Sequence, residues 1–460
     1  MVFGFSQSSL TGILWLQWIG GLAAMTMMFV IGLTIGWASP YLAQFSSGES
    51  PFPASAVESS WIVLIYQLGR PLGAVLGFLC NQYFGSKTTM ISTGCGLLVS
   101  WILMIAANSV TWIYVARFIS GAGAELVGIS FPLYLGEISS PNLRGTMIAM
   151  TTNGLTLGLL AGNTMGANVS MRIFSCISLV PTAVFTITFA LLPQSPYHLM
   201  SRNKVMDAEK AILKYNPKAD ISVEVDSIKR FVASSNKATF FSRLREFNIL
   251  RNKKSGLMII ALNFFAQSSG VNVFTAYSEI IVTRGMVTVI SPATMVIITT
   301  GVGVLAGFSM MNFSDKFGRR KIWVSSSCGL FVSMAVLGAH FYLLTDGFDS
   351  RSLQWLPIFS MKLFAVCYNL GLLSIPHILV GELFVANIRG LAALISCLSA
   401  AIFGFVSIEM YQLLSDFVDE GYVYWIYAIL MLVSTIFGML VIPDTKRMTL
   451  IEIQNSMMKK

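Results

Sequence analysis

Charge is scarce in this chain. Asp, Glu, Lys and Arg make up 11% of its 460 residues, where soluble domains carry roughly a quarter. So few ionic groups cannot cover the water-facing surface of a soluble protein of this length. Histidine is scarcer still: His198, His340 and His377 stand far apart, with no nucleophile motif or phosphate-binding glycine loop. Neither an enzyme nor a cofactor or metal is expected. The six cysteines (Cys80, Cys95, Cys176, Cys328, Cys367, Cys397) scatter through apolar stretches, without disulfide or metal-ligand spacing. They read as small packing residues.

Apolar residues are abundant, at 55% of the chain. They gather into twelve stretches, at 14–38, 59–82, 89–107, 110–135, 147–168, 172–192, 256–283, 289–313, 322–344, 355–380, 391–414 and 421–442. Most have the roughly 20 residues that cross a bilayer as a helix, and such helices satisfy their own backbone groups. The expected fold is an all-α membrane protein of twelve transmembrane helices, with the lipid bilayer as its surroundings. Residues 1–13 are uncharged and the first apolar run is too long for a signal segment, so no cleaved leader is expected.

The net charge of +9 does not mark a nucleic-acid surface. Most Lys and Arg fall in the loops that twelve spans place on one side, among them Lys87, Arg144, Lys316, Arg319, Arg320, Lys321 and Arg389. Only Arg172, Arg284 and Arg351 fall on the other, and Arg70, Arg117 and Lys362 lie within spans. The bias makes both termini and the central segment cytoplasmic. Asn168-Val169-Ser170 is then a glycosylation sequon on the outer side.

The chain repeats itself. Phe131–Gly145, FPLYLGEISSPNLRG, and Ile375–Gly390, IPHILVGELFVANIRG, each place a glutamate seven residues before an Arg-Gly: Glu137 with Arg144, Glu382 with Arg389. Gly85-Ser86-Lys87 is echoed by Asp315–Lys321, and Pro193-Gln-Ser-Pro by Pro443-Asp-Thr-Lys. Two parallel six-helix halves are expected, 1–198 and 256–445, with a solute site between them near the membrane midplane. A polar segment, 199–255, separates them and a tail, 446–460, follows. Within that segment Lys204–Lys214 has the pattern of a short amphipathic helix, with Val205, Ala208, Ile212 and Leu213 inward.

These motifs, together with Arg117, Gly121 and Gly123 and with Gln267-Ser-Ser-Gly-Val-Asn272, resemble the sugar porters of the major facilitator superfamily. Similarity is greatest to the insect facilitative trehalose and hexose transporters, and it covers nearly the whole chain. It implies a plasma-membrane uniporter that passes a sugar by alternating access. Gln267, Asn272 and Tyr277 would meet the sugar, as would Thr152 and Asn153 of the fifth span. The charges at the helix ends, Glu137, Arg144, Glu382, Arg389, Asp315, Arg319 and Arg320, with Arg117, would gate by pairing across the halves.

Departures from the family pattern leave alternatives open. Ala266, Ala276, Gly303 and Ala400-Ala401 stand where amides or aromatics are usual, and His377 where a Trp is. The implied pocket is larger and more apolar, or reads another solute. A non-transporting sensor or scaffold of the same fold, or a transporter of another small solute with or without proton coupling, remains an alternative. The first span lacks the acid of proton-linked members, with Ala38 at that place. Two unusual pairs of intramembrane charges share a depth, Arg70 with Glu125 and Lys362 with Glu409, and each is expected to pair because a lone buried charge is costly. His377 reads as a core residue or a solute contact; its ordinary pKa of about 6.5 would also let it titrate near neutrality.

Overall fold

The computed structural model describes residues 14–48, 52–217, 220–236, 245–384 and 386–443. The first set of helices is α1 (Trp15–Gly36), α2 (Ala38–Ser47), α3 (Ala56–Phe84), α4 (Ser86–Ala106), α5 (Val110–Ile138), α6 (Pro141–Asn168) and α7 (Met171–Leu191). Three short helices follow, α8 (Pro196–Ser201), α9 (Val205–Tyr215) and α10 (Ile221–Asn236). The second set is α11 (Leu250–Gln267), α12 (Val271–Arg284), α13 (Pro292–Phe317), α14 (Arg319–Thr345), α15 (Ser350–Leu353), α16 (Trp355–Cys367), α17 (Ile375–Leu383), α18 (Ala386–Phe417) and α19 (Glu420–Leu440). Among the described residues, 11 helical stretches are long and apolar enough to cross a membrane. The twelfth expected span, α6, has the length, at 28 residues. It falls short in hydropathy because it carries Thr151, Thr152, Asn153, Thr156, Asn163 and Thr164.

The repeat seen in the sequence has a backbone cause. Gly85 (φ +83°) joins α3 to α4, and Gly318 (φ +82°) joins α13 to α14, in the left-handed region that glycine enters without strain. Three apolar runs that look continuous in the sequence are broken in the fold. The first changes helix at Trp37, the seventh breaks at Gly270 (φ +88°), and the tenth passes through a π-turn at Tyr368–Leu372 before Pro376. Breaks of this kind are tolerated within a membrane where the freed backbone lines a cavity.

Within the first half α1 packs along α6 and α3 along α5. Both contacts depend on bare backbone: a Cβ on Gly121 would overlap the Tyr66 carbonyl oxygen, and one on Gly158 the Phe29 carbonyl. Without a hydrophobic drive between helices in lipid, such close approach supplies the dispersion contact that holds them. Gly121→Val is therefore expected to abolish a monodisperse peak in detergent size-exclusion, whereas the same change at Gly96, where a Cβ would meet only the Ile119 side chain at 3.8 Å, should leave the peak intact.

The halves meet through α2 against α12, α3 against α18 and α6 against α13. Two apolar clusters cross between them, a small one of Ala74, Phe78 and Ile129 with Cys397 and a large one. The first-half members of the large one, such as Leu33, Trp37, Tyr41, Ile62 and Phe174, come from the end of the bundle away from α8–α10. At the α8–α10 end the first half keeps a cluster of its own, with Met27, Met147, Phe185 and Phe189. The larger apolar seam between the halves is thus at the far end.

The short helices α8–α10 share a small core of Met200, Ala208, Ile212, Val225 and Ile228. The expected inward face of α9 is corrected at one position: Leu213 is exposed, and Ala211 and Tyr215 are buried instead. Tyr215 docks the segment on the first half. Its carbonyl accepts from Gln17 Nε2 at 2.9 Å, and its hydroxyl donates to Pro193 O at 2.9 Å and lies 3.1 Å from Tyr134 Oη. Burial pushes the Tyr215 phenol up to about 12, so this anchor stays protonated at neutral pH. Burial, and then Arg202 and Lys204, hold His198 below its usual range.

Candidate functional site

A chain of polar side chains in the bundle starts from Arg70. Helix α3 brings it against Glu125 of α5, whose Oε1 accepts from Nε at 2.7 Å and lies 2.5 Å from Nη2. Arg70 Nη1 donates to Gln67 Oε1, one turn earlier, at 2.7 Å. Gln67 Nε2 donates across the halves to Asn272 Oδ1 at 3.2 Å, and Asn272 Nδ2 donates to Gln267 Oε1 at 2.9 Å. The break at Gly270 makes the last link possible, because it turns the end of α11 and the start of α12 toward one another. Five side chains from four helices thus join an ion pair to two amides read from the sequence as solute contacts. Gly404 of α18 leaves room for them: a Cβ there would lie 2.9 Å from Arg70 Nη1 and 3.3 Å from Gln267 Oε1.

His377, on α17, joins this group. It is exposed, and Glu125 and Arg70 are its charged neighbours. Cys397 hydrogen-bonds the Glu125 carboxylate, and Tyr368 senses the Arg70 charge. The Tyr368 ring stacks on Phe364 at 5.9 Å, and Phe364 on Phe274 at 4.3 Å, which places an aromatic wall on this side.

An amide stands beside one of the small residues. Asn369, in the π-turn, stands 2.8 Å from where a Cβ of Gly303 would be, so an amide fills the space that glycine leaves. Arg70 and Gln67 fill the space above Gly404. Ala276, Ala400 and Ala401 are buried and packed. Gln67, Tyr368 and Asn369 were missed in the sequence. Gln67 had a readable signal, its place one helical turn from Arg70; the other two depend on a π-turn that apolar periodicity does not announce.

Other expected residues fall elsewhere. Asn153 is buried where α6 meets α13, its Oδ1 2.9 Å from a Cβ of Gly307. Thr152 Oγ1 donates back to Ile148 O at 2.9 Å. A further bond between the halves, Asn163 Nδ2 to Thr300 Oγ1 at 3.0 Å, lies on the same α6–α13 contact. Tyr277 sits at the far-end seam instead of beside Asn272: its hydroxyl accepts from Gln412 Nε2 at 2.8 Å and bonds Ser60. Nearby, the Glu279 backbone N–H donates to Ser39 Oγ at 3.2 Å.

Several charges at the α8–α10 end have partners within their own half. Glu137 accepts from Ser86 Oγ at 2.9 Å and bonds Ser195. Arg319 meets Glu382 at 2.8 Å, and Arg389 Nη2 donates to Phe384 O at 3.3 Å. Arg320 is half-buried at the start of α14. The side chains of Arg144 and Asp315 lie outside the described residues.

Arg117 does not belong with these charges, because α5 starts at the far end and residue 117 is only two turns along it. It is buried, donates to Thr34 O at 2.5 Å, and lies over Trp37 and Tyr66 at 5.3 and 4.6 Å. Thr34 and Trp37, and not Ala38, are therefore what face this arginine. The expected Lys362–Glu409 pair is also corrected: among the described residues no ion pair joins them. Their helices pack elsewhere, α16 on α13 and α14 and α18 on α3 and α11, so equal depth did not mean contact. Asn168 is exposed at the end of α6 and donates to Thr164 O at 2.7 Å.

Comparison with known proteins agrees with this architecture. The chain is 20% identical to a major facilitator superfamily proton:xylose symporter, XylE, bound to 6-bromo-6-deoxy-D-glucose, with a TM-score of 0.77 over 96% of this chain and 98% of that one. An inward-open form of XylE from E. coli gives a TM-score of 0.76 at 19% identity, over 95% and 98% of the two chains. The fold is that of the major facilitators. In sequence the chain is 26% identical to the facilitated trehalose transporter Tret1 of Drosophila virilis over 97% of its length, and to that of Apis mellifera ligustica over 95%. It spans about half of the fly protein (49%) and 88% of the bee protein. Residues 10–457 match the family described as sugar (and other) transporter. A match over nearly the whole length, on a major facilitator fold, makes this chain a member of the sugar (and other) transporter family.

Proposed function

We propose that the protein is a facilitative sugar transporter, moving trehalose or a hexose down its gradient as two six-helix halves rock about a central site. The bilayer holds twelve spans, with α6 as the polar one among them. The observation that carries this reading is the hydrogen-bonded amide chain of Gln67, Asn272 and Gln267 across the halves. Sugar hydroxyls both donate and accept, and amides at mid-membrane offer both. Asn369 and His377 complete the polar side, and Tyr368 gives a face for sugar C–H groups.

The division of the chain is 1–198 and 256–445 for the halves, 199–255 for the linking segment and 446–460 for the tail. The basic bias puts both termini and α8–α10 in the cytoplasm of a plasma-membrane protein. The far-end seam is then extracellular. Glu137 with its hydroxyl partners and Arg319 with Glu382 brace the cytoplasmic helix ends, while Arg117 braces the outer part of the first half. Asn168 stands on the extracellular side, as a glycosylation acceptor.

Uptake of radiolabelled trehalose and glucose in oocytes, with binding measured alongside, tests this. Saturable uptake supports it; binding without uptake would point to a sensor, and neither to another solute. Arg117 meets a backbone carbonyl instead of an acid, which favours uniport over proton linkage. Uptake should therefore stay flat between about pH 5.5 and 8, a range that spans the ordinary histidine pKa. His377→Trp should change the rate without adding a pH dependence, and a bell or slope in the parent would contradict uniport.

A further inference from the structure

Neither the family match nor the likeness to XylE says what Gln67 and Arg70 do. Their hydrogen bonds run in one direction. An arginine has N–H donors only, so Gln67 must turn its oxygen toward Arg70, which leaves only its Nε2 to donate to Asn272. Asn272 must then accept on Oδ1 and donate through Nδ2 to Gln267 Oε1. Glu125, by holding Arg70 through Nε and Nη2, sets the polarity of three amides in a row. The link between Gln67 and Asn272 is also the point at which the chain crosses from one half to the other.

Resting on the sugar-transport reading, we propose that Gln67 is a placeholder for the solute. In the empty site its amide occupies the acceptor of Asn272 that a solute hydroxyl takes on binding. Arg70 is the positioning residue that aims it there. Solute binding is an exchange of one hydrogen bond for another, so little net free energy is spent on it. The bond given up joins α3 to α12, just below the seam where Ser39 meets Glu279. Occupation of the site and loosening of the seam are thereby coupled through a single amide, and the ion pair at Arg70 stays intact throughout. A solute must bring a hydroxyl donor to Asn272, which makes this position selective for polyhydroxyl compounds over their deoxy analogues.

Two readouts on Gln67→Met, close in shape and without the amide, test this. The Michaelis constant for whichever of trehalose or glucose the parent carries should fall by about three- to tenfold, the range for removing one competing hydrogen bond. In purified protein in detergent, with native cysteines replaced by Ala and a Ser39→Cys probe at the seam, maleimide labelling should be at least about threefold faster in Gln67→Met than with Gln67 present, the lower end of the range for one lost hydrogen bond. A constant that is unchanged or higher, or an unchanged labelling rate, overturns the proposal. If the parent transports neither sugar, the sugar reading fails and the labelling arm alone decides whether Gln67 latches the halves. A residue that merely packed between helices would lower yield and leave both readouts where they are.

Discussion

Arg70→Glu alone and Glu125→Arg alone are each expected to strip most of the folded protein from the membrane, and the double reversal to restore it. The side chains are only 15% and 9% exposed, so each single reversal leaves two like charges together in a place that water barely reaches. Removing one partner of a buried ion pair costs about 3–5 kcal/mol, a large share of the roughly 5–15 kcal/mol that holds a typical protein folded. Reversal of both recreates the attraction at the same site. Yield by fluorescence-detected size-exclusion in detergent reads this directly. Absence of rescue would mean that the pair is not what the first half depends on there. A second, quieter outcome is expected even with full rescue: the reversed pair puts a carboxylate beside Gln67, which flips its amide and with it the polarity of Asn272 and Gln267. Rescued protein should therefore fold well and transport poorly.

Asn272→Ala should have the largest effect on transport itself. The change removes an expected sugar contact and leaves two polar atoms, Gln67 Nε2 and Gln267 Oε1, without the partner they have now. Each unpaired buried group costs about 1–3 kcal/mol, and the lost contact weakens solute binding as well. Uptake scaled to the folded protein recovered should fall by about ten- to a hundredfold at low solute concentration, at 1.4 kcal/mol per factor of ten. The contrast with Gln67→Met is informative, because the two residues are the two ends of one hydrogen bond. Removal of the placeholder should tighten solute binding, and removal of the contact should weaken it. Changes in the same direction would mean that the bond serves packing alone.

The two residues also explain how much of the site could be read from the chain. Gln267 and Asn272 stand in a motif and are five residues apart, so their partnership is local. Arg70 and Glu125 are 55 residues apart, yet the penalty on a lone membrane charge makes each look for the other. Depth along a helix can be counted from sequence, and that count found the pair. The same count failed for Lys362 and Glu409, because it carries no information about which face of a helix is turned to which neighbour.

Apolar periodicity and length determined the membrane class, the near-complete set of spans and the two-fold repeat, since crossing hydrocarbon imposes a minimum run on every helix. Paired glycines at 85 and 318 and the matched Glu–Arg spacings determined the internal repeat, because a left-handed turn needs glycine wherever it recurs. What only the tertiary structure decided is where those helices break and which faces meet. The break at Gly270 brings Gln267 to Asn272, and the π-turn at Tyr368 carries Asn369 over Gly303. Gly404 leaves the space that Arg70 and Gln67 enter. None of these follows from a pattern within a single helix, because each depends on which faces of two helices are packed together.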